Sequence, residues 1–166
     1  GVRSFNFEFT EWSHVIRKLE KSSKIKQNWF LANSTHVVDL AFFLGGAPEK
    51  ISSYVGGKLD WHPNGSIFSG AGITKNNTLF SYNANWEAPG RWGVEVITNK
   101  SRLILRPLEK LQIQKIGNLD PEFVQINDVL DIDYKPGLYE QTKSFINGNN
   151  LNLCDIDEHS KNFKYY

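Results

Sequence analysis

Two short stretches hold the residue types that could do chemistry. The first is Asn33-Ser34-Thr35-His36-Val37-Val38-Asp39. A histidine set into an apolar segment can exchange a proton with a substrate oxygen near neutral pH. Asp39, three residues on, would share its helical face and could orient the imidazole. At the first turn of a helix the ring should be neutral, because the macrodipole disfavours imidazolium there. The competing reading is a structural histidine satisfied by Asp39 or by backbone. The second stretch is Trp86-Glu87-Ala88-Pro89-Gly90-Arg91-Trp92. Its indoles offer faces for stacking and its guanidinium a fork for phosphate or carboxylate, which suits a sugar or nucleotide. The same residues could equally form a sheet corner with core tryptophans and a solvated arginine.

Other chemistries are poorly supported. His14, His62 and His159 show no ligand spacing, so no metal site is expected. Cys154, the one cysteine, forms no CxxC pair and reads as an inert core thiol. Gly70-Ala71-Gly72 neither follows a strand nor opens a helix, so it is not a dinucleotide loop. There is no P-loop, no G-x-S-x-G and no H-E-x-x-H.

The elements that must position these residues follow from periodicity. Val2 to Phe9 alternates, with Phe5, Phe7 and Phe9 on one face, and predicts a half-buried strand. Trp12 to Lys21 suggests a short helix with Val15, Ile16 and Leu19 inward, and Ser22 to Gln27 a polar loop. Asn33-Ser34-Thr35 reads as an N-cap cluster, followed by an apolar helix that stops at Gly45-Gly46 and should be buried on most sides. Strands are predicted at Ile51–Gly57, Ser66–Ile73, Thr78–Trp86, Trp92–Thr98, Arg102–Leu105, Lys110–Ile116 and Phe123–Ile126. Asn-containing turns at 75–78 and 98–101, with φ > 0, would join them into an antiparallel meander. A tight reversal falls at Arg106-Pro107-Leu108-Glu109. Pro136-Gly137 opens a helix through Ile146, ended by Gly148-Asn149-Asn150. Asp155 caps a last helix, Ile156 to Tyr166. The expected fold is α+β: one domain over residues 1–166, with an open, predominantly antiparallel sheet and helices packed on one face.

Composition bounds the rest. The chain has 166 residues, 40% hydrophobic, with Lys+Arg 19 against Asp+Glu 18. A net charge of +1 gives no global footprint for nucleic acid. No apolar run is long enough to span a membrane, and no secretory signal opens the chain, so a cytoplasmic setting is expected. The absence of any methionine suggests a piece of something longer.

His36-Val-Val-Asp39-Leu followed by Phe42-Phe-Leu-Gly-Gly resembles the H-x-x-D-L…G signature of the glucose–fructose oxidoreductase/inositol dehydrogenase (Gfo/Idh/MocA) family. Leu79–Trp86, Gly90–Val96, Arg102–Leu105 and Tyr134–Gln141 follow the order of that family's second domain, so the resemblance covers nearly the whole chain. It implies the carboxy-terminal half of a two-domain enzyme that uses NAD or NADP on a carbinol of a sugar, cyclitol or nucleotide-sugar. The amino-terminal Rossmann half, with the cofactor site and a Glu-Lys-Pro acid/base, would precede Gly1. The fragment alone would then bind no dinucleotide and be inactive. Association of subunits through the open sheet face is also implied. His36 falls on the family's catalytic histidine, while Ala32 replaces the Asp usual four residues earlier. Asn33 and Thr35 would orient substrate hydroxyls, and Trp86, Arg91 and Trp92 the distal part of the ligand. The alternative is a non-catalytic carbohydrate-binding or dimerising scaffold module, which Ala32 favours.

Overall fold

The alternation of Phe5, Phe7 and Phe9 does produce a strand, and it is the centre of the fold. In the computed structural model, which describes residues 1–149, 151 and 153–166, β1 (Val2–Glu8) lies in the middle of an eight-stranded sheet ordered β2-β3-β4-β1-β5-β6-β7-β8. The other strands are β2 (Pro48–Gly56), β3 (Ile67–Thr74), β4 (Leu79–Asn85), β5 (Gly93–Thr98), β6 (Ser101–Leu105), β7 (Leu111–Lys115) and β8 (Glu122–Phe123). Strand positions agree with the periodicity, but the pairing is not one meander. β4 and β5 do not touch as strands. β1 separates them, parallel to β4 with Phe7 opposite Tyr82, and antiparallel to β5 with Phe7 opposite Val94. All other ladders are antiparallel, so the sheet is open and the fold α+β.

The inner face of β1 organises the core. Phe5 stacks on Phe80, Phe7 on Tyr82, and Phe9 packs against Phe68. Val94 and Val96 continue this surface on β5. Helix α3 (Thr35–Gly45) lies across it, burying Val37, Val38, Ala41 and Gly45. The rings of Phe5 and Phe7 meet Phe42 edge-on. Burial is one-sided: Phe43 is 63% exposed, so the expectation of burial on most sides fails. Gly70 and Gly72 sit within β3, where a Cβ would strike the rings of Tyr82 and Phe80 and the carbonyls of Ser52 and Lys50. Their smallness serves packing rather than a phosphate.

Several local expectations change. Ser22–Gln27 is not a loop. Ser22 accepts from the Ile25 N–H at 3.4 Å and caps α2 (Ser23–Gln27). The preceding helix shrinks to α1 (Ser13–Ile16), with Ile16 buried while Val15 and Leu19 are exposed. The turn at 75–78 uses Asn77 at φ 60°, as expected. The turn at 98–101 does not place an Asn at φ > 0. Instead Thr98 Oγ1 accepts the N–H groups of Lys100 and Ser101. The Arg106–Pro107 reversal contains a cis peptide bond.

Residues 125–166 form a second compact unit. It holds α4 (Val129–Asp133), which periodicity missed, α5 (Leu138–Ile146) and α6 (Ile156–Asn162), the last followed by a 3₁₀ turn. Asp155 caps α6 through the Glu158 N–H at 2.7 Å, as read from sequence. Asn150, assigned to the α5 stop, lies outside the described residues. Cys154 is exposed rather than a core thiol.

The approach of α3 to β1 depends on Gly45, where a Cβ would overlap the Phe5 ring. Gly45→Ala should therefore destabilise the chain by about 1–3 kcal/mol through overpacking. Urea denaturation of both proteins checks this; an unchanged midpoint would show that the helix retreats without cost.

Candidate active site

The strand order dictates where the second chemical stretch must go. To pass from β4 to β5 the chain crosses the end of β1, so residues 86–92 lie over Phe9-Thr10-Glu11-Trp12. Four polar contacts fasten the crossing. Trp86 Nε1 donates to the Phe9 carbonyl at 3.1 Å, and the Asn85 N–H donates to Thr10 Oγ1 at 3.1 Å. Trp12 Nε1 donates to the Gly90 carbonyl at 2.8 Å, and Trp92 Nε1 to Glu11 Oε1 at 3.2 Å. Gly90 is required here, because a Cβ would meet the Glu8 carboxylate and the Thr10 side chain.

Glu11 is the residue that sequence reasoning missed. It is 2% exposed, yet it carries a carboxylate, which is costly unless paired. Its Oε1 accepts from Asn33 Nδ2 at 3.0 Å and Ser34 Oγ at 2.8 Å as well as from Trp92. Its Oε2 lies 3.5 Å from Arg91 Nη1. Charge-assisted bonds of this kind are among the stronger ones in proteins. One buried carboxylate thus draws together Asn33, Arg91 and Trp92, three of the six residues singled out from sequence.

The Arg91 guanidinium is held between two indoles, 5.1 Å from the Trp12 ring centroid and 4.5 Å from that of Trp92. Its side chain is 44% exposed, so it keeps an open edge.

The helical stretch is built differently from the expectation. Asn33-Ser34-Thr35 does not begin a helix. It belongs to a π-turn, Phe30–Ser34, that runs directly into α3, and Ser34 has helical φ and ψ with no capping bond. The Thr35 N–H bonds to the Phe30 carbonyl, one residue further back than in an α-helix. The extra residue in this turn accompanies the side chains of Asn33 and Ser34 reaching Glu11. His36 therefore follows a continuous helical turn rather than a free N-terminus, and the dipole argument for its neutral form does not apply. Its ring is exposed and has no hydrogen-bond partner among the described residues, so Asp39 does not orient it. Thr35 is buried and its hydroxyl donates to the Leu31 carbonyl at 3.2 Å, which removes it as a direct ligand group.

Trp86 is likewise a supporting residue. It is 1% exposed, with its ring stacked on Trp61 and packed against His62 and Phe68. His62, read as a loop histidine, is buried there, and its Nδ1–H donates to the Gly65 carbonyl at 2.7 Å. Beside these residues a cavity of about 770 Å³ opens, within the size range of small-molecule sites. Glu11, Trp12, His14, Arg17, Trp86 and Glu87 contribute to its wall. The turn after β1 holds no glycine, and Gly70 and Gly72 are internal to β3.

The fold matches part of several solved dehydrogenases. A dehydrogenase (MviM) from Clostridium difficile superposes with a TM-score of 0.64 at 17% identity, over 88% of this chain and 45% of that one. UDP-N-acetylglucosamine 3-dehydrogenase GnnA from Acidithiobacillus ferrooxidans gives 0.62 at 14% identity, over 89% and 44%. Levoglucosan dehydrogenase, in complex with NADH and levoglucosan, gives 0.55 at 16% identity, over 75% and 39%. This chain thus spans less than half the length of these three. Neither a family model nor a curated protein matches the sequence.

Glu11 is the keystone of the site, which sets a stability test. Glu11→Ala leaves the buried Ser34 hydroxyl and the donors of Asn33 and Trp92 without their acceptor, at about 1–3 kcal/mol for a buried group left unpaired. Thermal melting of the chain should show a clear drop for Glu11→Ala and a smaller one for Glu11→Gln, whose amide oxygen still accepts. Equal, small shifts would mean that the network is ornamental.

Proposed function

We propose that this chain is the substrate-binding and oligomerising half of an NAD(P)-dependent oxidoreductase of the Gfo/Idh/MocA type, acting on a carbinol of a sugar, cyclitol or nucleotide-sugar. The observation that carries the reading is the convergence on Glu11 of a polar helical turn, an aromatic-flanked arginine and a cavity of ligand size. The fold shared with sugar dehydrogenases supports it.

In this reading His36 takes the proton of the reacting hydroxyl as the carbon–hydrogen bond is broken. A nicotinamide brought by a nucleotide-binding half would supply the hydride acceptor. Asn33, anchored through its Nδ2 to Glu11, presents its amide oxygen to a substrate hydroxyl. Arg91 and Trp92 hold the distal part of the ligand, while Thr35 and Trp86 serve the local packing of their own elements. Such positioning is worth much of the rate, because the reacting atoms must sit in near-attack geometry. An unpartnered, exposed imidazole suits a group that finds its partner in the substrate.

A second reading, a carbohydrate-binding module without catalysis, is favoured by Ala32 at the position where the family carries an Asp. The two part on turnover. In the full-length enzyme, His36→Asn should lower kcat by roughly 10²–10⁴, the range for losing a general acid–base. Folding should remain intact because the residue is exposed. A change under about threefold, well short of that range, would remove His36 from catalysis.

We also propose that the outer sheet face, where Tyr54, Ile67 and Leu79 are exposed, is covered by a second copy of the chain. Light scattering should then give a dimer or larger species, and a monomer at high concentration would refute it.

A further inference from the structure

We infer that the helical unit Gln125–Tyr166 is a docking surface, and that its occupant is the nucleotide-binding half of the full-length protein. This rests on the oxidoreductase reading and adds the surface by which the two halves are held together.

The unit is built without a core of its own. It carries α4, α5 and α6, and among its described residues none is buried. Segments of about 40 residues rarely fold alone without a disulfide, a metal or a partner. Cys154 is the one cysteine of the chain, so an internal disulfide does not hold this unit.

Its apolar residues are nonetheless spaced as a packing face. On α5, helical periodicity puts Leu138, Tyr139, Phe145 and Ile146 in one stripe. Glu140 and Lys143, an ion pair at 3.8 Å, lie on the other side. On α6 and the 3₁₀ turn that continues it, Ile156 and Phe163 share a face, with Asp157, Glu158 and Lys161 off it. An amphipathic stripe of this kind normally faces a core. Here Phe145 is 77% exposed, Ile146 75% and Ile156 76%. Apolar side chains clustered this densely on a surface mark a contact with another body.

Charge decides between the occupants. The unit holds seven acids against four lysines. A second copy docked by a two-fold contact would set this anionic surface against itself. An anionic lipid surface would repel it as well. A half of the same polypeptide meets neither obstacle by necessity, and tethering gives it a high effective concentration that a free partner lacks. The matched solved dehydrogenases have the length for this arrangement: the match covers less than half of each, so each carries a further stretch at least as long as the matched one.

Hydrogen–deuterium exchange of the full-length enzyme and of this chain alone is the test. The amides of α5 and α6 should exchange about tenfold or more slowly in the full-length enzyme, at every protein concentration, because their opening then requires release of the docked half. Exchange at one rate in both proteins would overturn the inference. So would protection that arises in this chain alone and grows with its concentration, the signature of a second copy. Protection of this chain by vesicles of phosphatidylserine and phosphatidylcholine would overturn it too. The Phe145→Ser/Ile146→Ser double variant supplies a second readout. It replaces two exposed side chains by ones of similar helix propensity, so the melting temperature of this chain should not move. In the full-length enzyme the protection of α5 and α6 should be lost, and its retention would refute the docking. If the variant does not fold, the comparison of the two unsubstituted proteins decides. The oxidoreductase reading fails on a different measurement, NAD(P)-dependent turnover by the full-length enzyme. An active enzyme with unprotected helices therefore refutes the docking alone.

Discussion

A chain that puts its first strand at the centre of its sheet must route a later connection around it. β1 separates β4 from β5, so residues 86–92 have to cross its end. That constraint makes the site. It brings Arg91 and Trp92 over Glu11, more than 75 residues away in sequence, and leaves the turn from β1 into α1 as the opposite wall. The parallel pairing of β1 with β4 is part of the same arrangement. Its register sets Phe7 beside Tyr82 and carries the two strands to a common end, where Phe9 and Trp86 meet.

The buried carboxylate then becomes intelligible. Glu11 is costly to bury alone, and several donors arrive from two different elements to offset that cost. A helix of regular pitch would turn Asn33 and Ser34 by a different amount about its axis. The π-turn instead coincides with the place where both side chains are engaged. Its bonding and Glu11's requirement for donors are therefore mutually supporting. Either could have drawn the other, but each is unfavourable without its partner.

Much of this fold was legible because its signals are local. Period-two aromatics gave β1, punctuated β-branched runs gave the other strands to within a few residues, and Gly45-Gly46 gave the end of α3. What was not legible is non-local or non-periodic. Strand order is decided by which ends can meet in space, so the insertion of β1 leaves no pattern in the chain. The polar segment Ser22–Gln27 is helical with no buried residue, so no apolar stripe betrays it; Ser22 as a cap was the one available signal. Glu11 carries no motif and stands out only once Arg91 and Asn33 are seen around it. The cluster at 33–35 misled for a physical reason. Asn, Ser and Thr suit an N-cap, but they suit equally a turn whose side chains must donate to a buried acid.

His36 illustrates how far one residue's type can carry an argument and where surroundings must take over. Its ring lies at no free helix terminus and is not hydrogen-bonded to Asp39. It stands exposed beside a turn that is rigidly anchored on its other side. Anchoring and exposure are complementary here. Glu11 fixes Asn33, Ser34 and, through the crossing loop, Arg91, so the groups that would orient a ligand are held before it arrives. The group that would exchange a proton is left free of internal partners, as it must be if its hydrogen bond is to form with the reacting oxygen alone. In the proposed reading, a buried acid that no motif marks would do the positioning, while the histidine that the motif marks would be left to the substrate.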